Sequence, residues 1–427
     1  MTKPIAIILA GGRGTRSSDP SRAKVAIEIG GKSLLEFHLQ LLHSAGISQV
    51  SIIAGHAFEQ VEQALHNCSF PELDLEFLVE PSPSGTIGAL RYALQTTRFS
   101  SSEVLVILGD VLMSFPVEPF LKRWRRTTKA AAVVAHPNRH FVDSDGVFRS
   151  FDGKVKVTRK QVQNRLVPNM ASAGVFALRV EHFLRASSGL DIGSDLLPIL
   201  ADSDELYVHV VSHYLMDTGT STRLQRARAD VVDGSFIRRG SLEPRPAIFL
   251  DRDGVVNPNK PEVLSAETLT LREGVAEAIE EVNSYGVPVF VVTNQPAIAK
   301  GLMSYSDHEL VRARMDQLLA DKGAFVDDYV FCPHHPDAGF LGEIPELKVR
   351  CPCRKPEVGL FEFLVDKHKL DLKHSIHLGD SFADYFAAQS LGIEFIHVAG
   401  ECLINYAHVC VDDPGLAVLL ALRRLQC

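Results

Sequence analysis

The stretch IAIILAGGRGTR, from Ile5 to Arg16, joins an apolar run to a loop rich in glycine and arginine. The apolar run predicts a buried strand of a parallel sheet, whose carboxyl end opens into the loop. Glycines let backbone N–H groups approach a phosphate closely, and arginine adds a forked cationic donor. Lys24 supplies a second cation eight residues after Arg16, which favours a phosphate-binding loop. The alternative is a tight strand-to-helix turn that binds no ligand.

The stretch AIFLDRDGVVN, from Ala247 to Asn257, has the same layout with acidic residues in the loop. Open α/β sheets place their chemistry at the carboxyl ends of strands, so each stretch marks the site of one domain. The segment Val231–Pro246 between them is rich in glycine, proline, serine and charge, which is typical of a linker. We therefore predict a first domain over residues 1–232, a linker over 233–245 and a second domain over 246–427.

Short apolar runs alternate with amphipathic stretches in both halves, and this alternation predicts βαβ units. Two stretches have helical spacing and end at glycine, namely Ser33–Gly46 and Val275–Gly286. Further strands are predicted at Gln49–Gly55, Glu103–Asp110, Lys129–His136, Val287–Asn294 and His374–Ser381. The sequence therefore predicts the α/β class, with two domains that each contain a Rossmann-like, mostly parallel sheet.

The composition is that of an ordinary globular protein, with 46% hydrophobic and 22% charged residues among 427. The net charge of −8, without a long block of one sign, argues against a nucleic-acid partner. No apolar run approaches the roughly 18 to 20 residues that span a bilayer, and the N-terminal run lacks a cleavage site, so we expect a cytoplasmic protein. An odd cysteine count of seven argues against a disulfide framework. The oligomeric state cannot be predicted from these features.

Further motifs extend the first loop into a recognisable series. In order they are EPSPSGTIGAL (Glu80–Leu90), LGD (Leu108–Asp110), ASAGVF (Ala171–Phe176), SDLLP (Ser194–Pro198) and MDTGT (Met216–Thr220). Together with LAGGRGTR and Lys24, this series resembles the sugar-phosphate nucleotidyltransferases, and within them the heptose 1-phosphate guanylyltransferases.

The resemblance implies that a sugar 1-phosphate oxygen attacks the α-phosphorus of a nucleoside triphosphate and that pyrophosphate leaves. Arg16 and Lys24 would be catalytic and hold the phosphates, while Asp110 and Asp217 would bind Mg²⁺, which prefers oxygen ligands. The implied nucleotide-binding residues are Leu9, Ala10, Gly11, Gly12, Gly14, Thr15, Arg16, Gly85 and Thr86, and the implied sugar-binding residues are Gly174 and Asp195. Taken singly, each aspartate could instead be a helix cap.

Three departures from the family pattern leave the sugar preference open. Ser17-Ser18 stands where relatives often have leucine, Ala23 stands where proline is usual, and Ser172 stands where asparagine is common. The base is likewise not fixed by these motifs.

In the second half, FLDRDGVVN carries two aspartates one residue apart. One carboxylate can attack a phosphoryl group while the other donates a proton to the leaving oxygen, although such a pair can also bind a metal or cap a helix. VVTNQ (Val291–Gln295), Lys355 and LGDSFAD (Leu378–Asp384) follow in order. This series resembles the haloacid dehalogenase superfamily of phosphatases.

That resemblance makes Asp251 the nucleophile and Asp253 the general acid and base. It implies phosphate binding by Thr293, Asn294, Arg354 and Lys355, and a second Mg²⁺ site formed by Asp251, Asp253 and Asp380, with Asp384 in support. The segment between Asp253 and Thr293 has room for a loop, one helix and a strand, so no large cap domain is expected.

The stretch CPHHPDAGFLGEIPELKVRCPCRKP, from Cys332 to Pro356, gathers three cysteines and two histidines. The C-x-H…C-x-C arrangement of Cys332, His334, Cys351 and Cys353 suits tetrahedral Zn²⁺, and four protein ligands indicate a structural site. His335 is an alternative ligand, and reduced cysteines without a metal are another interpretation. With this loop the second half resembles the zinc-containing branch that includes heptose 1,7-bisphosphate 7-phosphatases and histidinol-phosphate phosphatases.

The heptose enzymes are the closer match for three motifs, namely DRDGVVN, CPHHPD and CPCRKP. The segment NQPAIAKG (Asn294–Gly301) differs from the corresponding motif of those enzymes, so the anomer of the substrate stays open. The zinc would fix the backbone from which Arg354 and Lys355 reach the phosphate.

Both halves together lead to the hypothesis of a bifunctional enzyme of nucleotide-activated heptose biosynthesis. It would remove the 7-phosphate of heptose 1,7-bisphosphate and transfer a nucleotidyl group, with GMP favoured, to heptose 1-phosphate. The partners would be small molecules, namely sugar phosphates and nucleoside triphosphates. Three alternatives remain: a mannose 1-phosphate guanylyltransferase joined to an unrelated phosphatase, a nucleotide-sugar sensor that regulates the phosphatase, and a zinc module that docks a partner.

Overall fold

The computed structural model describes residues 3–12, 21–140, 144–159, 166–186, 188–259, 262–398 and 409–426. The predicted site residues Gly14, Thr15 and Arg16 lie outside these ranges. No helix within the described ranges is long and apolar enough to cross a membrane.

The first half contains thirteen strands and seven α-helices among its described residues up to Val232. They are β1 (Ile5–Leu9), β2 (Glu28–Ile29), β3 (Lys32–Ser33), α1 (Leu34–Ser44), β4 (Gln49–Ala54), α2 (Phe58–His66), β5 (Asp74–Val79), α3 (Gly85–Thr96), β6 (Glu103–Leu108), β7 (Val111–Ser114), α4 (Val117–Arg125), β8 (Ala131–His136), β9 (Gly146–Arg149), β10 (Val155–Thr158), β11 (Ala171–Arg179), α5 (Val180–Ala186), α6 (Leu197–Asp202), β12 (Leu206–Val210), β13 (Tyr214–Asp217) and α7 (Ser221–Val232).

The first sheet is built around β1, which is buried along its whole length. The strand order is β10-β9-β11-β6-β1-β4-β5, and β8 pairs with both β11 and β12. Ala6 and Ile8 belong to the hydrophobic core on one face, while Ile5, Ile7 and Leu9 belong to the core on the other. This explains the unbroken apolar run, since a strand covered on both faces has no polar side. The sheet is mixed, because β11 runs antiparallel to β6 and β8.

The second half follows a short connecting helix, α8 (Ser235–Gly240). Its elements are β14 (Ile248–Leu250), α9 (Val275–Tyr285), β15 (Val289–Asn294), α10 (Pro296–Ala299), α11 (Tyr305–Ala320), β16 (Asp328–Cys332), α12 (Gly359–His368), β17 (Ile376–Gly379), α13 (Phe382–Leu391), β18 (Glu394–Val398), β19 (Cys410–Val411) and α14 (Pro414–Gln426).

The second sheet has the order β16-β15-β14-β17-β18-β19, and each of these pairings is parallel. The chain adds β15 and β16 on one side of β14 and then returns to add β17 to β19 on the other. The carboxyl ends of β14 and β17 therefore flank a switch in strand order, where α/β sheets bind their ligands. Between β14 and β15 the described residues contain a 3₁₀ turn and α9, so the predicted absence of a large cap in this segment is confirmed there.

Helix boundaries follow local capping signals. Ser33 begins α1 by accepting a hydrogen bond from the Glu36 N–H at 3.1 Å. Gly286 ends α9 with φ at 99°, a left-handed conformation that a side chain would strain. The helices predicted at Ser33–Gly46 and Val275–Gly286 are thus confirmed with shorter bounds.

The two halves pack directly on each other. Arg239 of α8 forms a buried ion pair with Asp327, which precedes β16. The Ser114 hydroxyl donates to the Gly240 carbonyl at 2.7 Å, so α8 also rests on β7. The predicted linker is therefore in part a packed helix, although the boundaries at 232 and 246 remain predictions.

Candidate active sites

A cavity of about 520 Å³ lies at the carboxyl ends of the central strands of the first sheet. The predicted nucleotide-binding residues within the described ranges all line it: Leu9, Ala10, Gly11, Gly12, Gly85 and Thr86. At Gly11 an added Cβ would lie 3.2 Å from the Gly55 nitrogen, so the loop passes close to the strand-end turn beside it. At Gly12 an added Cβ would meet nothing within 4 Å, which leaves this backbone open to the cavity.

Asp110 and Asp217 lie side by side although the sequence separates them widely. Strand β13 pairs with β7 so that Asp217 faces Val111, and the Thr218 N–H donates to the Asp110 carbonyl at 2.8 Å. Both carboxylates line the cavity. Lys24 Nζ lies 2.6 Å from Asp110 Oδ2, and Arg223 Nη1 lies 2.8 Å from Asp217 Oδ2. Two carboxylates that line one cavity fit a hard divalent cation such as Mg²⁺.

The sugar side of the cavity differs in part from the prediction. Gly174 lines the cavity at φ 70°, and its backbone packs against the Leu108 side chain. Asp195 is not among the described residues that line it, because its carboxylate accepts the Leu190 and Asp191 N–H groups at 2.8 and 3.0 Å. Asp191 lines the cavity instead.

Asp191 was not predicted because the segment DIGSD contains two aspartates, and the resemblance to the family rested on the second of them, Asp195. The structure separates them: Asp195 holds the turn, and Asp191 accepts a hydrogen bond from the Thr86 hydroxyl at 3.1 Å.

A second cluster lies at the carboxyl ends of β14, β15 and β17. The ligand oxygens of Asp251, Asp380 and Asp384 lie within 4.8 Å of one another. Lys355 Nζ lies 3.0 Å from Asp251 Oδ1 and 2.6 Å from Asp384 Oδ1, and it donates to the Val292 carbonyl at 2.7 Å. A single lysine therefore faces several carboxylates in a buried space.

Burial and the short distances between these carboxylates shift their pKa values. Burial raises the pKa of Asp251 to about 8 despite the opposing charge of Lys355, and the nearby Asp384 carboxylate adds to the rise. Burial also raises the pKa of Asp380 to about 6. Burial alone would raise the pKa of Asp384, but Lys355 and His377 hold it well below its usual range. Three oxygen donors with an excess of negative charge fit Mg²⁺, which would lower these pKa values again.

Asp253 lies outside this carboxylate group, and the metal-binding role predicted for it stays a prediction. Its oxygens accept hydrogen bonds from Arg252 at 2.8 and 2.9 Å, from Asn257 at 2.9 Å and from Gln295 at 2.7 Å. Arg252 is almost fully buried and was not singled out in the sequence. Thr293 joins the same network, since Gln295 Nε2 lies 2.9 Å from its hydroxyl.

Two predicted phosphate-binding residues have their side chains engaged with backbone. The Asn294 amide exchanges two hydrogen bonds of 3.0 Å with the backbone of Lys355, which fixes the lysine loop against β15. Arg354 Nη1 donates to the His334 carbonyl at 3.1 Å. Both contacts hold the loop that carries Lys355.

Cys332, His334, Cys351 and Cys353 come together as a third cluster. Their ligand atoms lie 3.2 to 3.5 Å apart in the contacts between them. A disulfide would require about 2.05 Å, whereas tetrahedral ligands at zinc bond lengths lie about 3.5 to 3.8 Å apart. His335 is turned away, with Nδ1 3.2 Å from the Asp337 carbonyl. The donor set therefore fits a closed Zn²⁺ site next to the lysine loop.

Comparison with known proteins finds relatives of both halves. Residues 5–234 match the family model described as nucleotidyl transferase. D-glycero-beta-D-manno-heptose-1,7-bisphosphate 7-phosphatases are also similar: that of Rhodopseudomonas palustris is 39% identical over 161 residues, which cover 38% of this chain and 87% of the relative. The relative from Escherichia coli is 36% identical over 169 residues, which cover 39% of this chain and 87% of the relative. Among solved structures, a similar one is the crystal structure of D,D-heptose 1.7-bisphosphate phosphatase from B. bronchiseptica, complexed with magnesium and phosphate. Its sequence is 27% identical and its TM-score is 0.36, and the match covers 42% of this chain and 98% of that chain.

Proposed function

Because the chain belongs to the nucleotidyl transferase family and to that of the heptose-1,7-bisphosphate 7-phosphatases, we propose that it is a bifunctional enzyme of nucleotide-activated heptose biosynthesis. Its second half would remove the 7-phosphate from heptose 1,7-bisphosphate. Its first half would transfer a nucleotidyl group, with GMP favoured, to the resulting heptose 1-phosphate. The observation that carries the proposal is the presence in one chain of both acidic clusters, each with a lysine ion-paired to its carboxylates.

In the phosphatase half, Asp251 would be the nucleophile. Its carboxylate oxygen would form a bond to phosphorus while the bond to the sugar oxygen breaks, and Asp253 would give that oxygen a proton. Asp253 would then take a proton from the water that hydrolyses the aspartyl phosphate, which releases phosphate and restores Asp251. Arg252 and Gln295 hold the Asp253 carboxylate in place for both transfers.

Lys355 would neutralise the charge of the phosphoryl oxygens. Its ammonium is fixed by Asp251, Asp384 and a backbone carbonyl, so it needs little reorganisation when the substrate binds. When bound, Mg²⁺ supplies further charge neutralisation, and Asp251, Asp380 and Asp384 are the residues that would hold it.

In the transferase half, the chain mostly aligns two polyanions. An oxygen of the sugar 1-phosphate would bond to the α-phosphorus as pyrophosphate leaves. Lys24 and Arg223 flank the Asp110 and Asp217 carboxylates that would hold Mg²⁺, and the glycine backbone at Gly12 is open to a phosphate. Arg16 belongs to this proposal by family resemblance.

The test is to incubate the full chain with heptose 1,7-bisphosphate, Mg²⁺ and each nucleoside triphosphate in turn. We expect release of phosphate first, and then pyrophosphate and a nucleotide sugar, with GTP the best donor. Asp251→Asn should stop phosphate release but still convert supplied heptose 1-phosphate, whereas Asp110→Asn should do the reverse. Phosphate release without a nucleotide sugar from any triphosphate would refute the pathway proposal.

A further inference from the structure

The transferase cavity does not end within the first half of the chain. Beyond Asp217 it continues to a wall formed by the second half, where Asn283, Ser284, Gly286 and Phe325 line it. Asn283 and Ser284 belong to the last turn of α9, the first helix of the phosphatase half. The phosphatase half therefore forms part of the wall of the cavity that also holds the transferase carboxylates, and we call this part, lined by Asn283, Ser284, Gly286 and Phe325, the inner end.

Ser284 is the polar centre of this wall. Its hydroxyl lies 3.0 Å from Arg139 Nη2 and 3.0 Å from Arg226 Nη2, and it donates to Glu280 Oε1 at 2.7 Å. The two arginines come from the first half and the other two residues from the second. The arrangement of the guanidinium groups at the cavity wall thus depends on a hydroxyl supplied across the domain interface.

Two further donors at this end lack a partner. Asn283 is buried, and its Oδ1 accepts the Phe325 N–H at 2.9 Å, but its Nδ2 has no hydrogen-bond partner among the described residues. Within the same part of the chain, Nη1 of the buried Arg239 is also without a partner. Buried donors without partners are costly, so both favour an occupant that brings oxygen acceptors.

The charge at this end is balanced, which indicates hydroxyl groups rather than a second phosphate. Each arginine that lines it already has an acidic partner: Arg139 with Glu280, Arg226 with Asp230 and Arg239 with Asp327. Burial and the nearby Arg239 charge lower the pKa of His136, another lining residue, to about 4, so its imidazole is neutral at pH 7. A phosphate dianion would meet no uncompensated cation among these groups, whereas a polyol can pair with their donors and acceptors.

We infer that the inner end of the cavity is a hydroxyl-binding subsite for the end of the sugar remote from C1, and that the phosphatase half supplies it through Asn283 and Ser284. The inference rests on the proposed function. It assigns to the phosphatase half a role in the sugar specificity of the transferase, namely the preference for a seven-carbon over a six-carbon sugar 1-phosphate.

The test compares heptose 1-phosphate with mannose 1-phosphate, which lacks the seventh carbon, in the full chain. We expect the wild type to prefer the heptose at least tenfold in kcat/KM. Asn283→Ala should raise KM for heptose 1-phosphate about fivefold to tenfold, the effect of one lost hydrogen bond. Ser284→Ala should also raise it, because Arg139 and Arg226 lose the hydroxyl that positions them. In both variants KM for mannose 1-phosphate and the triphosphate should be unchanged. Glu281→Ala, on the exposed face of the same helix, is the matched control and should change none of these values.

Phosphate release from heptose 1,7-bisphosphate shows whether each variant is folded. The KM values of a variant that still releases phosphate decide whether the inference holds. Equal effects on both sugars, or no effect, would overturn the inference. Equal kcat/KM for the two sugars in the wild type would overturn it without any variant. If the wild type activates neither sugar phosphate, the proposed function fails as well, so the two failures are distinguishable.

Discussion

Replacement of Lys355 by methionine tests whether the buried acidic cluster is a cation site. The lysine is 3% exposed and pairs with Asp251 and Asp384, so the variant leaves their carboxylates without its charge. Breaking a buried pair by removing one partner costs about 3 to 5 kcal/mol. In a domain of this size, 1 kcal/mol shifts Tm by roughly 2 to 4 °C, so the transition of the second half should fall by about 6 to 20 °C without Mg²⁺.

Added Mg²⁺ should restore more of the Tm in Lys355→Met than it adds to the wild type, because the variant has a larger excess of negative charge to neutralise. Calorimetry of the full chain with and without Mg²⁺ measures both shifts. Lys373→Met, which removes an exposed lysine of the same half, is the control and should leave the transition within about 1 °C. Equal Mg²⁺ effects on the variant and the wild type would refute the assignment of these carboxylates to a cation site.

Three further predictions concern other parts of the molecule. Replacing Cys351 and Cys353 by serine should release zinc and abolish phosphate release while nucleotidyl transfer continues; loss of both activities would instead indicate that the metal supports the whole fold. Burial raises the pKa of Asp316 to about 6. A carboxyl whose pKa is raised by folding stabilises the protein fully at a pH below the pKa of the unfolded chain. This stabilisation is lost as the pH rises through the pKa of the folded protein. The wild type should therefore lose about 2 kcal/mol between pH 4 and 6 relative to Asp316→Asn in urea unfolding, and parallel pH curves would contradict this. Gly85→Ala places a Cβ 2.2 Å from the Leu190 carbonyl oxygen at φ 76°, so KM for the triphosphate should rise at least tenfold in initial-rate assays while phosphate release is unchanged; an unaltered KM would contradict the packing.

Features encoded by neighbouring residues could be predicted from the sequence. The apolar run at Ile5–Leu9 indicates a strand buried on both faces, and the spacing of Cys351 and Cys353 already suits a metal, because both depend on local geometry. The alignment of Asp110 with Asp217 was predictable only by resemblance to a family, since a pairing between distant strands leaves no local signal.

Features decided by competition between side chains could not be predicted. The contact of the buried Arg252 with the Asp253 carboxylate was not predicted, although the two residues are adjacent. Asp195 was expected at the sugar, but two backbone N–H groups of the preceding turn hold it. In each case a carboxylate satisfies the nearest strong donors, and identifying those donors requires the folded chain.

The ion pair between Arg239 and Asp327 has a consequence for any attempt to separate the two halves of the chain. Asp327 is fully buried in the second half, while Arg239 belongs to the segment before it, so a break at residue 245 would separate the two charges. Asp327 would then lose the guanidinium that compensates its buried carboxylate, and breaking a buried pair in this way costs about 3 to 5 kcal/mol. Residues 246–427 expressed alone should therefore be less stable than the same residues within the full chain, unless Asp327 is replaced as well.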